Sequence, residues 1–169
     1  MILVGYRATG KTTVASILSD RFLIPAIDSD KEIEREAGKS IAEIFASCGE
    51  IVFRDMEESI ISRLLLRGDS MILSTGGGVI LRESTREKLR LSGKVVWLQA
   101  SPEIILGRMQ ADSKSKTTRP SLTSLPPLDE IIELLEKRKS LYEQVSTISI
   151  NTDNLTPTQI ADQCEKFLK

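Results

Sequence analysis

One stretch constrains this chain more than any other. Residues Gly5 to Thr12, GYRATGKT, fit G-x-x-x-x-G-K-[ST] at every fixed position. The pattern works only where a strand ends and a helix begins. It sits in that context here: an apolar run, MILV, precedes it, and a helical pattern follows from Lys11. Gly5 and Gly10 let the backbone wrap so that its N–H groups, with those of Ala8, Thr9 and Thr13 nearby, aim at phosphate oxygens. Lys11 reaches the outer phosphates, and the Thr12 hydroxyl is a hard oxygen ligand for Mg²⁺. The loop therefore predicts binding of a nucleoside triphosphate, without saying which reaction follows.

The rest of the chain narrows the reaction. Histidine is absent, which excludes an imidazole base, a Ser-His-Asp triad and a His-ligated metal. No N-K-x-D is present to read guanine, and 169 residues are few for a nucleic-acid motor. A net charge of −1 argues against a dedicated nucleic-acid binder. No apolar run approaches the ~18 residues of a membrane span, and the short opening MILVG lacks the form of a signal peptide. Cys48 and Cys164 are far apart, without metal spacing, and read as buried reduced thiols of a cytoplasmic protein. A small-molecule kinase is the natural reading.

Short apolar runs alternate with helical patterns along the chain. Strands are expected at MILV, IPAI, SMILST, KVVWLQ and TISIN. Helices are expected at 11–22, from Asp30 to Gly38, from Ser40 (with Glu43 completing a capping box) to Gly49, from Glu50 through Leu66, and at RESTREKLRLSG. Further helices are expected after Ser101-Pro102, over LDEIIELLEKRKSLYEQV, and after Thr156-Pro157. In the fourth, Val52, Met56, Ile60 and Leu64 fall in line. Continuously apolar strands between helices imply a parallel sheet covered on both faces. Residues 111–127 have no periodicity, are rich in Ser, Thr and Pro, and carry Arg119; a loop this long is either a solvated connection or a lid.

Three further stretches could carry chemistry. Asp28 and Asp30 flank the end of the second strand, where ligands of open α/β sheets bind. One could serve Mg²⁺ and the other orient a hydroxyl for in-line attack; the plainer alternative is that Ser29 or Asp30 caps the next helix. Arg54 and Glu57 lie three apart on a helix, an exposed ion pair of little weight or an arginine held to fork onto a carboxylate. STGGGV places Gly76, Gly77 and Gly78 at a strand end, which needs positive φ or a close backbone approach.

Taken together, GYRATGKTTV, AIDSDKEIE, SIAEIFASCGEIVFRDMEE, STGGGV, TRPSL and KRKSLYEQVS resemble shikimate kinases in order and interval over nearly the whole chain. The resemblance implies one P-loop kinase domain over 1–169, of the nucleoside-monophosphate-kinase type. Its fold would be a three-layer α/β sandwich around a five-stranded parallel sheet in order 2-3-1-4-5. It would carry an acceptor-binding helical segment near 29–60 and a mobile lid near 109–126. It implies transfer of the γ-phosphoryl of ATP to the 3-hydroxyl of shikimate, with Mg²⁺, by a cytoplasmic monomer that engages neither nucleic acid nor membrane. By similarity Lys11, Asp30 and Arg119 are catalytic, and Asp28 acts with Thr12 at the metal. Arg54, Glu57, Gly76, Gly77, Gly78 and Arg138 hold the acceptor. Arg108 and Pro157 are the candidates at adenine. The rivals are a kinase of the same fold acting on gluconate or another polyol acid, and a nucleotide-binding module without catalysis.

Overall fold

The central strands have residues pointing to both faces of the sheet, and both faces are covered there. In the computed structural model, which describes residues 1–111 and 125–168, the strands are β1 (Ile2–Val4), β2 (Ala26–Asp28), β3 (Ile72–Ser74), β4 (Val95–Gln99) and β5 (Ile148–Asn151). They form one parallel sheet in the order β2-β3-β1-β4-β5. Ile2, Val4, Leu73, Val95 and Trp97 face one core, while Leu3, Ile72, Val96 and Leu98 face another. This alternation within short apolar runs is what a doubly covered sheet demands.

The second core is closed by α1 (Lys11–Phe22) and the C-terminal helix α7 (Pro157–Leu168), through Val14, Leu18, Ile160 and Cys164. The first core is closed by α2 (Ser29–Ala37), α3 (Ile41–Leu66), α4 (Glu83–Leu91) and α6 (Pro127–Val145). A third cluster joins Tyr6 to α6 and to α5 (Pro102–Ala111). The result is the expected three-layer arrangement. β1 lies at the centre, so the loop that leaves it opens where β3 and β4 flank it, the crevice in which open α/β sheets bind ligands.

Several local expectations need correction. The two helices expected at 40–49 and 50–66 form one element broken at Gly49, whose φ of 80° and ψ of 173° are non-helical. Ser40 and Glu43 do form the capping box at its start. Beyond Gly49 the buried face carries Phe53, Glu57, Ile60, Ile61 and Leu64, with Arg54 beside it, whereas Val52 is exposed and Met56 only half-buried. The cap of α2 is Asp28, not Ser29 or Asp30: its Oδ1 accepts from the Asp30 amide at 3.0 Å. Cys48 is exposed rather than buried, while Cys164 is buried. In the segment read as a lid, residues 109–111 close α5 and Pro127 opens α6; Arg119 and its neighbours lie outside the described residues.

Candidate active site

The phosphate-binding loop is fixed by its backbone. Gly5 has φ +145°, and a Cβ there would stand 2.4 Å from the Leu98 carbonyl oxygen of β4. Neither the conformation nor the space admits a side chain. Gly10 is the N-cap of α1 at φ 93°, with no side-chain cap. The first N–H groups of the helix therefore remain available to an anion, in the positive field of its N-terminus. Ala8 holds φ 61°, a left-handed conformation that an alanine adopts only at a cost. Thr9, buried, donates its hydroxyl to the Tyr6 carbonyl at 2.8 Å and tightens the loop. Lys11 is buried and its Nζ donates to the Gly5 and Tyr6 carbonyls at 2.8 and 2.7 Å, so its ammonium is centred within the loop. Thr13 is exposed on the first turn of α1.

Sheet register brings the metal candidates together. Asp28 of β2 lies opposite Ser74 of β3. The Thr12 hydroxyl donates to Asp28 Oδ2 at 2.9 Å and lies 3.4 Å from Ser74 Oγ. Among the described residues no three His, Cys, Asp or Glu side chains gather. One hydroxyl and one carboxylate beside a phosphate loop are the donor set that suits Mg²⁺, a hard cation that keeps several waters and takes phosphate oxygens. The residues therefore fit the ion.

Across from the loop stand two arginines whose burial the sequence did not reveal. Arg54 is only 9% exposed and Glu57 3%, which excludes the reading of a solvated surface pair. Arg54 Nη1 donates to Glu57 Oε2 at 2.7 Å, and its guanidinium carbon lies 4.9 Å from the Phe53 ring centre. Arg138 is 7% exposed, not a solvated charge; its Nη1 donates to the Gly77 carbonyl at 3.4 Å, and it sits 5.9 Å from the Tyr6 ring centre. Two guanidinium groups at one site offer several N–H donors in fixed fork geometry, which suits an anionic group such as a carboxylate.

The glycine run lies between these arginines. None of Gly76, Gly77 and Gly78 has positive φ; at Gly78 a close approach is what requires glycine. A Cβ on Gly78 would lie 2.5 Å from both Nη atoms of Arg54. A Cβ on Gly77 would face the phosphate loop, 3.4 Å from Gly5 O and Arg7 N. The run is pinned by Thr75, whose amide and hydroxyl both donate to Leu3 O, and by the buried Ser29, whose Oγ accepts from the Gly76 amide at 3.2 Å. Tyr142, fully buried, donates its hydroxyl to the Gly77 carbonyl at 2.6 Å; burial pushes its pKa well above the ordinary phenol value.

Arg108 donates to the Thr152 carbonyl at 2.8 Å and hydroxyl at 3.0 Å, and to the Ala8 carbonyl at 3.4 Å. It thus ties the phosphate loop to the segment that leads to Pro157, which is exposed at the start of α7. Sequence reasoning missed Ser29, Tyr142 and Glu50, the last of which also bonds Arg54. Tyr142 carried a usable signal, since it lies four residues after Arg138 and so on the same helix face.

Comparison with known proteins agrees with this geometry. Residues 7–169 match the family described as "Shikimate kinase". The chain is similar to the shikimate kinase of Rhodopirellula baltica, 38% identical over 166 residues that cover 98% of this chain and 88% of that protein. It is similar to that of Thermodesulfovibrio yellowstonii, 37% identical over 169 residues covering 100% and 92%. Among solved structures, the shikimate kinase of Acinetobacter baumannii in complex with shikimate superimposes with a TM-score of 0.91 at 34% identity, covering 99% of this chain and 90% of that one.

Proposed function

The chain belongs to the shikimate kinase family, and from that premise we propose how its residues divide the work of phosphorylating shikimate with ATP. The protein is a phosphotransferase that takes ATP and shikimate. The observation that carries the assignment of roles is the pair of nearly buried arginines bracketing the glycine run, opposite the phosphate loop. Such a site suits a small acceptor that is anionic at one end and carries hydroxyls at the other.

The loop amides from Gly5 to Thr13 and the N-terminus of α1 hold the triphosphate, and Lys11 neutralises its outer phosphates. Thr12 and Asp28 would hold Mg²⁺, which when bound would offset charge on the phosphate oxygens. Arg54 and Arg138 grip the acceptor carboxylate, with Glu57 fixing Arg54 and the Gly77 carbonyl and Tyr142 framing Arg138. Asp30 accepts the proton of the 3-hydroxyl as its oxygen bonds the γ-phosphorus; the bond from that phosphorus to the β,γ-bridging oxygen breaks and ADP leaves. Arg119, outside the described residues, stabilises the charge of the transferring phosphoryl. Arg108 and Pro157 flank adenine. The acceptor segment near 29–60 and the lid near 109–126 belong to one kinase domain, which acts as a cytoplasmic monomer. No described helix is long and apolar enough to cross a membrane.

ADP release with ATP, Mg²⁺ and a panel of acceptors tests the function, and phosphorus NMR of the product tests the position phosphorylated. Shikimate is expected to drive turnover and to emerge as the 3-phosphate. Turnover with gluconate but not shikimate would overturn the acceptor. Nucleotide binding with no turnover on any acceptor would leave a binding module.

A further inference from the structure

Among the described residues Arg54 has two carboxylate partners, and they differ in kind. Glu57 is buried, 4% exposed in its side chain, and accepts from Nη1 at 2.7 Å. Glu50 has a side chain 51% exposed, and a single oxygen, Oε1, accepts from both Nε and Nη2 at 3.2 and 3.1 Å. The Nε/Nη2 edge is a two-donor edge of the guanidinium, which a carboxylate takes as a fork. Glu50 covers that edge with one oxygen, at distances longer than charge-assisted bonds normally reach.

The two partners of this contact are not equally free to move. Arg54 is pressed against Gly78, stacked on Phe53 and bonded to Glu57. Glu50 follows Gly49, the non-helical break in α3, and points largely into solvent. If a second carboxylate arrives at the Nε/Nη2 edge, Glu50 is the group that yields.

We propose that Glu50 is an exchangeable carboxylate cover on Arg54, a positioning residue that the acceptor's own carboxylate displaces on binding. This rests on the assignment of Arg54 to the acceptor carboxylate made above. The exchange keeps a nearly buried cation balanced before and after binding, and it lowers apparent acceptor affinity by the fraction of molecules in which the edge is covered.

The test uses the full chain. Shikimate binding is measured by titration calorimetry without ATP, and KM and kcat are measured at saturating ATP, for the native chain, Glu50→Gln and Arg54→Lys. Shikimate methyl ester, which has no carboxylate to contest the edge, serves as control. Glu50→Gln is expected to tighten shikimate binding and lower its KM by about threefold to fivefold, the change made by losing an ion pair of this exposure. The KM for ATP and binding of the ester should stay unchanged. Unchanged or weaker shikimate binding in Glu50→Gln overturns the exchange, and so does equal tightening of acid and ester. If Arg54→Lys folds normally yet leaves shikimate KM unaltered, the assignment of Arg54 itself fails. If Arg54→Lys weakens shikimate while Glu50→Gln does not tighten it, only the exchange fails.

Discussion

Replacing Gly78 with alanine should damage acceptor use and spare ATP. The added Cβ would stand 2.5 Å from Arg54 Nη1 and Nη2 and 2.6 Å from its central carbon. Ordinary contact needs about 3.5 Å, so the guanidinium must retreat by roughly 1 Å. Arginine is flexible in general, but this one is held by Phe53 and Glu57. A 1 Å retreat directed away from Glu57 would stretch its 2.7 Å bond beyond hydrogen-bonding range, and one in another direction would misalign it. A hydrogen bond between charged groups contributes about 1.5–3 kcal/mol, which corresponds to roughly 10–100-fold. We expect kcat/KM for shikimate to fall by about that factor, with the KM for ATP within about twofold of native. Coupled assays of ADP release, varying each substrate at saturating levels of the other, separate the two. Gly77→Ala is the internal control. Its Cβ would meet the phosphate loop at 3.4–3.5 Å, ordinary contact distances, and away from Arg54. It should therefore be mild, and any effect should fall on ATP. A Gly78→Ala enzyme within threefold of native on shikimate, or one that loses both substrates equally, would refute this account of the glycine.

Asp30→Asn should nearly abolish turnover while binding of a fluorescent ADP analogue persists; strong activity would remove Asp30 from proton transfer. Tyr142→Phe deletes the 2.6 Å bond to the Gly77 carbonyl but leaves the ring stacked on Trp97 at 5.3 Å. Urea denaturation followed by Trp97 fluorescence should show a loss of about 1–2 kcal/mol, and the shikimate KM should rise because Arg138 shares that carbonyl. Glu58 on α3 meets Lys88 and Arg82, and Lys88, Ser84 and Arg82 hold its carboxyl at about 2. Because this pKa is depressed by folding, the stabilisation is complete above the ordinary carboxylate pKa and is lost as pH falls from there toward 2. Stability curves of native and Glu58→Gln protein should therefore differ by roughly 1 kcal/mol near neutrality and converge as pH drops through that window; parallel curves would contradict it.

Much of this was legible in the sequence, for physical reasons. The phosphate loop specifies backbone geometry, and backbone geometry specifies the strand before it and the helix after it. Strand order followed from the family resemblance, and the sheet then placed Asp28 beside Ser74 and Thr12 through register. The acceptor side was harder to read. Arg54 and Glu57 interrupt the apolar face of α3, so a reading by hydrophobicity placed Ile60 and Leu64 rightly but chose the exposed Val52 and half-buried Met56 in the turns before them. Buried charges look like surface charges until the partners that balance them are known. The glycines of STGGGV announced a close approach, but its object, the Arg54 guanidinium for Gly78 and the phosphate loop for Gly77, lies far away in sequence. Cys48 was misjudged because cysteine is usually buried, and nothing local signals that this one faces outward.

That outward thiol has a practical consequence. The chain contains two cysteines, and Cys164 is fully enclosed, with burial pushing its thiol up to about 11. A thiol-reactive dye applied to the unaltered protein should therefore attach at one place, beside the break at Gly49 and two residues before Glu50. Without any engineering, the molecule already offers a single attachment point for an optical gauge of its acceptor half, read while acceptor and nucleotide are added in turn.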